Sequence, residues 1–156
     1  MAIMKIEVAT IQDAESILAL QRLAYVSEAE IYNDFDIDPL TQTLDSLHRD
    51  FRKQVFLKAS VGGTIVGSVR GYLAHGTCHL GRLIVHPDFQ NQGIGKQLMN
   101  EIESFFKNAK RYELFTGHKS ERNLYLYQKL GYSAHKTERV NDNLVLVFLE
   151  KYPKAG

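Results

Sequence analysis

The sequence predicts a mixed α/β (α+β) fold, a mostly antiparallel central sheet with flanking helices, in the order β-α-α-β-β-β-α-β-α-β-β. Three observations predict it. Apolar runs between residues 54 and 85 are separated only by short glycine-containing turns, Val61-Gly62-Gly63 and His75-Gly76-Thr77, which makes an antiparallel meander. The last of these runs passes through Pro87 and a polar loop into an amphipathic stretch opened by Gly93 and Gly95. A further strand, Lys110–Thr116, follows that helix and can lie parallel to the strand before it as a right-handed crossover.

The elements follow in order. Ile3 to Ala9 alternates Met4, Ile6 and Val8 against Ile3, Lys5 and Glu7, a first strand. Thr10, three residues before Asp13, caps a helix from about Ile11 to Tyr32, with Ile17, Leu18, Leu20, Leu23, Ala24 and Ile31 at helical spacing. Asp38 and Pro39 make a cap and first turn for a second helix, with Leu40, Leu44, Leu47 and Phe51 on one face. Strands over Gln54–Ser60 and Thr64–Leu73 flank the first glycine turn. Gly67 and Gly71 inside the second strand mark a bulge or a close approach. Thr77–Val85 is the strand that feeds the loop. The central helix runs from Gly93 to about Asn108, with Ile94, Leu98, Ile102, Phe105 and Phe106 as its apolar stripe. A short helix over Ser120–Leu130 has Ser120 as its cap and Gly131 as its stop. A last hairpin joins Tyr132–Glu138 to Leu144–Glu150.

At 156 residues, with 44% apolar and 24% charged content, the chain is expected to form a single domain over 1–156. A net charge of +1 gives no electrostatic footprint for nucleic acid or a membrane surface. Cys78 is alone, so there is neither a disulfide framework nor a zinc set, and no metal is expected. The first residues lack a signal-peptide layout and no apolar run reaches membrane-spanning length, so a cytoplasmic protein is expected.

The junction at Gln90–Lys96 carries the chemistry. The first N–H groups of a helix lack intrahelical partners, and the helix dipole places partial positive charge there. Glycines let an anion approach the backbone closely, and Lys96 adds a charge. Neither the dinucleotide fingerprint nor the P-loop fits, because Gln90 and Gln97 stand where a P-loop needs Gly and Ser or Thr, and no third glycine follows.

Gln90-Asn91-Gln92-Gly93-Ile94-Gly95 resembles the Gln/Arg-x-x-Gly-x-Gly/Ala signature of the GNAT family of N-acetyltransferases, and Val85-His86-Pro87 before it is similar to that family's Val-x-Pro. A second family element, Asn-x-x-x-Tyr-x-Lys-x-Gly-Phe/Tyr, is matched by Asn123 to Tyr132. The resemblance implies acetyl-CoA as co-substrate, with its pyrophosphate held by backbone amides from Gln92, Gly93, Ile94, Gly95 and Lys96. Gln90 takes the Gln/Arg position. The main chain of Leu83 and Val85 pairs with the pantetheine arm between splayed strands, and Asn123 hydrogen-bonds that arm. Tyr127 takes the family's Tyr position, where a phenol, protonated at neutral pH, can act as general acid toward the departing thiolate.

The implied reaction is direct transfer to an amine, which suits a chain with no evident Ser–His–Asp or Cys–His arrangement. Many relatives carry a Glu on the strand before the loop, whereas Thr77–Val85 holds no carboxylate. His79, His118, or a water acting through a carboxylate of the first helices are the alternatives for the base. From Ala24 to Ser46 there is no Lys or Arg, but Glu28, Glu30, Asp34, Asp36, Asp38 and Asp45 alternate with Tyr25, Tyr32 and Phe35. By the resemblance this stretch lines the acceptor side, with Tyr25, Glu28 and Tyr32 as substrate contacts, and favours a small cationic molecule or a peptide amine. The resemblance also allows a homodimer through the C-terminal strands. A non-catalytic acyl-CoA-binding sensor of the same fold is the alternative reading.

Overall fold

The computed structural model describes residues 3–153. Seven strands form one sheet in the spatial order β1-β2-β3-β4-β5-β7-β6. They are β1 (Met4–Val8), β2 (Val55–Val61), β3 (Thr64–Ala74), β4 (Thr77–Val85), β5 (Arg111–Gly117), β6 (Ser133–Arg139) and β7 (Val145–Lys151). Every neighbouring pair is antiparallel except β4 and β5. Gly62 and Gly63, at φ +58° and +82°, make the left-handed turn that a tight hairpin requires.

Five helices cover the sheet: α1 (Ala14–Tyr32), α2 (Asp38–Thr41), α3 (Leu44–Lys53), α4 (Ile94–Phe105) and α5 (Glu121–Lys129). On one face, α4 buries Ile94, Leu98, Met99 and Ile102 against Leu57, Val66, Cys78, Leu80 and Leu114. On the other, α1 and α3 close over Phe56 with Ala14, Ile17, Leu18 and Leu47. Each such aliphatic side chain contributes about 1.5–3 kcal/mol on burial. Gly67 and Gly71 are close approaches: a Cβ at Gly67 would sit 3.0 Å from Leu98 and one at Gly71 2.8 Å from Leu80.

Several elements differ from the sequence reading, each for a local reason. The first helix begins with a 3-10 turn over Ile11–Asp13, where the Thr10 N–H donates to the Asp13 carboxylate at 2.9 Å. The expected second helix is two. Thr43 accepts the Ser46 N–H at 3.1 Å and so starts α3 afresh after α2, whose cap is Ile37 rather than Asp38. Phe105 is 52% exposed, and Met99 is buried in its place. Ser120 precedes α5 but does not cap it with its side chain. Among the described residues, no helix is long and apolar enough to cross a membrane.

Candidate active site

The strand-to-helix loop has the conformation of an anion cradle. Asn91 and Gly93 are both left-handed, at φ +63° and +81°, and Gly93 is the residue before α4. The Gly93 carbonyl accepts the Gln97 N–H at 3.0 Å. The N–H groups from Asn91 to Lys96 find no acceptor among the described residues. Ile94 sends its side chain into the core, so only its amide is available, and Gln92 and Lys96 are exposed. Gln90 Oε1 accepts from Arg122 of α5. A Cβ on Gly95 would sit 3.5–3.9 Å from Leu126, Leu83 and Val85, which is ordinary contact. These orphan donors at a helix N-terminus suit a pyrophosphate.

The sheet opens beside this loop. The β4–β5 pairing covers only Thr77↔Arg111, Cys78↔Tyr112 and His79↔Glu113, and beyond it the two strands part. At the opening β4 bulges. Ser68 pairs with Ile84 and Arg70 with Gly81, so Arg82 and Leu83 together face Val69, with Arg82 at φ +49°. The bulge reverses which side chains face α4. Cys78 and Leu80 do so before it, and Leu83 and Val85 after it. It also frees main-chain polar groups from the ladder at the widest part of the split. Burial alone does not reveal the bulge, because the buried residues of β4, Cys78, Leu80 and Ile84, all stand at even positions.

The split communicates with a cleft of about 680 Å3 lined by α1, β4, β5 and the β6–β7 connection. Tyr127 stands in its wall. The residue is 6% exposed, yet its hydroxyl has no hydrogen-bond partner among the described residues and is not sealed from the cleft. Burial, followed by the proximity of Tyr25 and Glu28, pushes its pKa well above the ordinary phenol value. Tyr125, two residues away, is 62% exposed with the Lys129 ammonium over its ring.

Beside Tyr127 a polar chain crosses from α1 to α5. Tyr32 Oη accepts the Lys119 N–H at 2.9 Å and donates to Ser120 Oγ at 2.7 Å. Ser120 Oγ donates to Glu28 Oε2 at 2.6 Å. Glu28 Oε1 accepts from Asn123 Nδ2 at 3.2 Å, and that amide also reaches Thr116 Oγ1 at 3.3 Å. Ser120 is thus spent on Glu28 rather than on its own helix. A Cβ at Gly117 would overlap the Tyr32 hydroxyl, so glycine is needed there. Burial raises the pKa of Tyr32 and of Tyr25, which also lines the cleft.

The two histidines separate. His79 lines the cleft, stacked on Tyr72 at 4.9 Å, with Nδ1 3.8 Å from Glu113 Oε1. His118 does not line it, because its Nδ1 accepts the Val145 N–H at 3.0 Å. Of the acidic stretch, Glu28, Asp34, Asp36 and Asp38 line the cleft, and Glu30 and Asp45 do not. Arg70 and Arg82, to which the sequence reading assigns no role, line the same cleft. Burial pushes the Cys78 thiol up to about 12, which leaves it unsuited to nucleophilic work.

Comparison with known proteins places this geometry. The profile of the acetyltransferase (GNAT) family matches residues 15–132. The chain belongs to the GNAT acetyltransferase family. This is a family of acyltransferases that draw on acetyl-CoA. A UPF0157 protein, YqkA of Bacillus subtilis, is 26% identical over 141 residues, which are 90% of this chain and 40% of that protein. The chain therefore spans well under half of that relative's length. A Yersinia pestis protein named acetyltransferase is 30% identical over 97 residues, 60% of this chain and 67% of that one. Among solved structures, the PaiA N-acetyltransferase of Thermoplasma acidophilum, in complex with coenzyme A, superposes with a TM-score of 0.79. It is 17% identical and covers 97% of this chain and 99% of its own. At that identity the likeness is one of fold, and the mixed sheet with its flanking helices is the GNAT fold.

Proposed function

We propose that this GNAT chain, as a single domain over 1–156, is an N-acetyltransferase that moves an acetyl group directly from acetyl-CoA to a primary amine of a small cationic molecule or a peptide. The observation that carries the reading is the Tyr127 hydroxyl, open to the cleft and without a hydrogen-bond partner among the described residues, at a split sheet beside a loop of orphan amides. Bound acetyl-CoA supplies a thioester, on which the amine nitrogen forms a C–N bond as the C–S bond breaks.

The chain's residues divide the remaining work. Amides from Gln92 to Lys96, with Gln90 beside them, hold the pyrophosphate. Leu83, Val85 and Asn123 hold the pantetheine arm. Main chain freed at the bulge meets the developing oxyanion. Tyr127 Oη gives its proton to the leaving sulfur, and its raised pKa keeps that proton in place at neutral pH. His79, the histidine that lines the cleft, takes the amine proton with Glu113 behind it. Tyr25, Glu28 and Tyr32 face the acceptor. The buried lone Cys78 suits a reducing cytoplasmic setting. The β6 edge, exposed along its length, suits pairing with a second copy.

The test combines two readouts. Thermal unfolding with saturating acetyl-CoA, against NAD and ATP, should rise selectively by roughly 5–10 °C. Release of CoA thiol with a panel of amines then reads transfer. Binding without turnover of any amine would favour the acyl-CoA sensor, and no binding would remove both readings.

A further inference from the structure

The acceptor side of the cleft holds a guanidinium with no counter-ion. Arg82 is half-buried in the β4 bulge, and among the described residues its side chain hydrogen-bonds the neutral Gln42 Oε1, at 2.8 Å, and nothing else. No carboxylate lies within ion-pair distance of it among the described residues. Arg70 beside it is different. It is paired with Asp50 at 2.9 Å and bonded to Gln21 at 2.6 Å. Burial and then the nearness of Arg82 push Arg70 down to about 10. Of the two neighbouring guanidiniums, only Arg70 therefore has a carboxylate partner among the described residues. Gln42 cannot relieve this, because its Oε1 also accepts from Gln21 and its amide donates to Ser46 and Asp50. A partly desolvated, uncompensated charge is costly unless a ligand completes it, and a guanidinium is shaped to take a carboxylate through two parallel bonds.

The other wall of the cleft is apolar. Phe115 is 55% exposed and packs at 5.3 Å against Phe148, over whose ring the Lys136 ammonium lies at 4.5 Å, and Leu146 of β7 and Leu144 of the β6–β7 connection line the same cleft. Such aromatic surface left open inside a cleft suits an apolar group.

Resting on the acetyltransferase reading above for donor and reaction, but replacing its net-cationic or peptide acceptor, we infer that the acceptor is a zwitterion: an amine that also bears a carboxylate, which Arg82 binds, and an apolar body, which the Phe115–Phe148 wall covers. A free α-amino acid with a large apolar side chain has this chemistry. Its ammonium faces the Glu28 side of the cleft as it enters.

The experiment uses matched acceptors: L-phenylalanine, L-phenylalaninamide and 2-phenylethylamine, and the same series built on leucine, followed by CoA release. The amide loses its amine proton more readily than the acid, so intrinsic reactivity works against the expected result. That result is a kcat/KM at least tenfold higher for the free acid than for the amide or the decarboxylated amine. Arg82→Gln should abolish the preference mainly through KM for the acid, and Arg82→Lys should keep part of it, with acetyl-CoA affinity unchanged in both. The inference is overturned if the amides or the decarboxylated amines serve equally well, or if Arg82→Gln retains the preference. Should none of the six be acetylated, N-acetyl-L-phenylalanine and its amide are compared as ligands in thermal unfolding with CoA; equal shifts, or none, overturn it. A missing acetyl-CoA shift would instead sink the acetyltransferase reading itself.

Discussion

On the loop side of the split sheet, what is on offer is main chain; in the cleft that α1 and α2 help to line, it is side chains. The loop amides from Asn91 to Lys96 are consecutive, and their geometry is set by two left-handed residues and a helix start. The acceptor wall is gathered from Glu28, Tyr32, Arg82, Glu113 and Phe148, which lie on four different elements. A site made of backbone needs fixed spacing and small residues, so it leaves a compact mark in the sequence. A site made of side chains needs only that distant positions converge, and convergence is a property of the fold. Tyr127 stands where the two meet.

The sharpest test of that junction is Tyr127→Phe. The change removes a proton donor while keeping the ring that packs edge-on against Tyr132. Turnover should fall by about 100-fold, the lower range for a lost general acid, with acetyl-CoA affinity within about twofold of the native protein. Because burial raises this phenol's pKa, its ionisation should not limit activity anywhere below pH 10. Unchanged turnover would take Tyr127 out of the acid role.

The loop half should respond to backbone changes and ignore side-chain ones. Gly93→Val forces a β-branched residue to φ +81°, although a Cβ there meets nothing within 4 Å. Strain of about 1–3 kcal/mol then falls on the loop geometry rather than on packing. Acetyl-CoA affinity should drop more than tenfold by calorimetry. Gln92→Ala and Lys96→Ala should each cost less than about threefold, given the small worth of exposed charges. Equal losses from all three would mean that side chains, and not amides, hold the anion.

The acceptor half should respond in the opposite way. Gly117→Ala drives a methyl into the Tyr32 hydroxyl and so disrupts the chain through Ser120 to Glu28. Overpacking of this kind costs about 1–3 kcal/mol. Tyr32→Phe leaves the Lys119 N–H without its acceptor and should cost about 1 kcal/mol. The two together should cost less than their sum, because phenylalanine lacks the nearest of the atoms that the new methyl strikes, the hydroxyl oxygen, although ring carbons remain in its way. Strict additivity in urea unfolding would show that Gly117 matters for some other reason.

What was legible in the sequence follows the same division. Strand and helix order came from apolar periodicity, and the loop came from Gln90 to Gly95, since both are local patterns. The β4 bulge is not legible in the sequence, because the phase change from Cys78 and Leu80 to Leu83 and Val85 is hidden in the unbroken apolar run Leu83-Ile84-Val85. The break at Gln42–Thr43 was missed because Leu40, Leu44 and Leu47 keep helical spacing straight across it. Arg70 and Arg82 carry no sequence signal because each lies in a strand with no local motif, and only the fold brings them into one cleft with Glu28, Asp34, Asp36 and Asp38. Ser120 looked like a cap because capping is the usual use of serine before a helix; its actual partners lie more than 85 residues earlier in the chain.

The smallest effect expected is an acid sensitivity confined to the side-chain half, since amides do not titrate. Glu113 sits at the foot of the split, where it accepts from His135 at 2.6 Å and from Arg111 at 2.7 Å. Burial alone would raise its pKa, but those two hydrogen bonds outweigh burial and hold it below the ordinary 4.5. A carboxylate depressed on folding adds stability that is fully present above the unfolded value and is lost as pH falls through the folded one. Glu113→Gln should therefore be less stable than the native protein at pH 7, by about 1 kcal/mol for a partly exposed pair. The gap should close as the pH falls below 4.5. Urea midpoints for the two proteins at pH 7, 5 and 3 measure it. A gap that stays constant into acid would mean that Glu113 contributes through shape and hydrogen bonding, not through its charge, and the acceptor half would then be no more pH-sensitive than the loop.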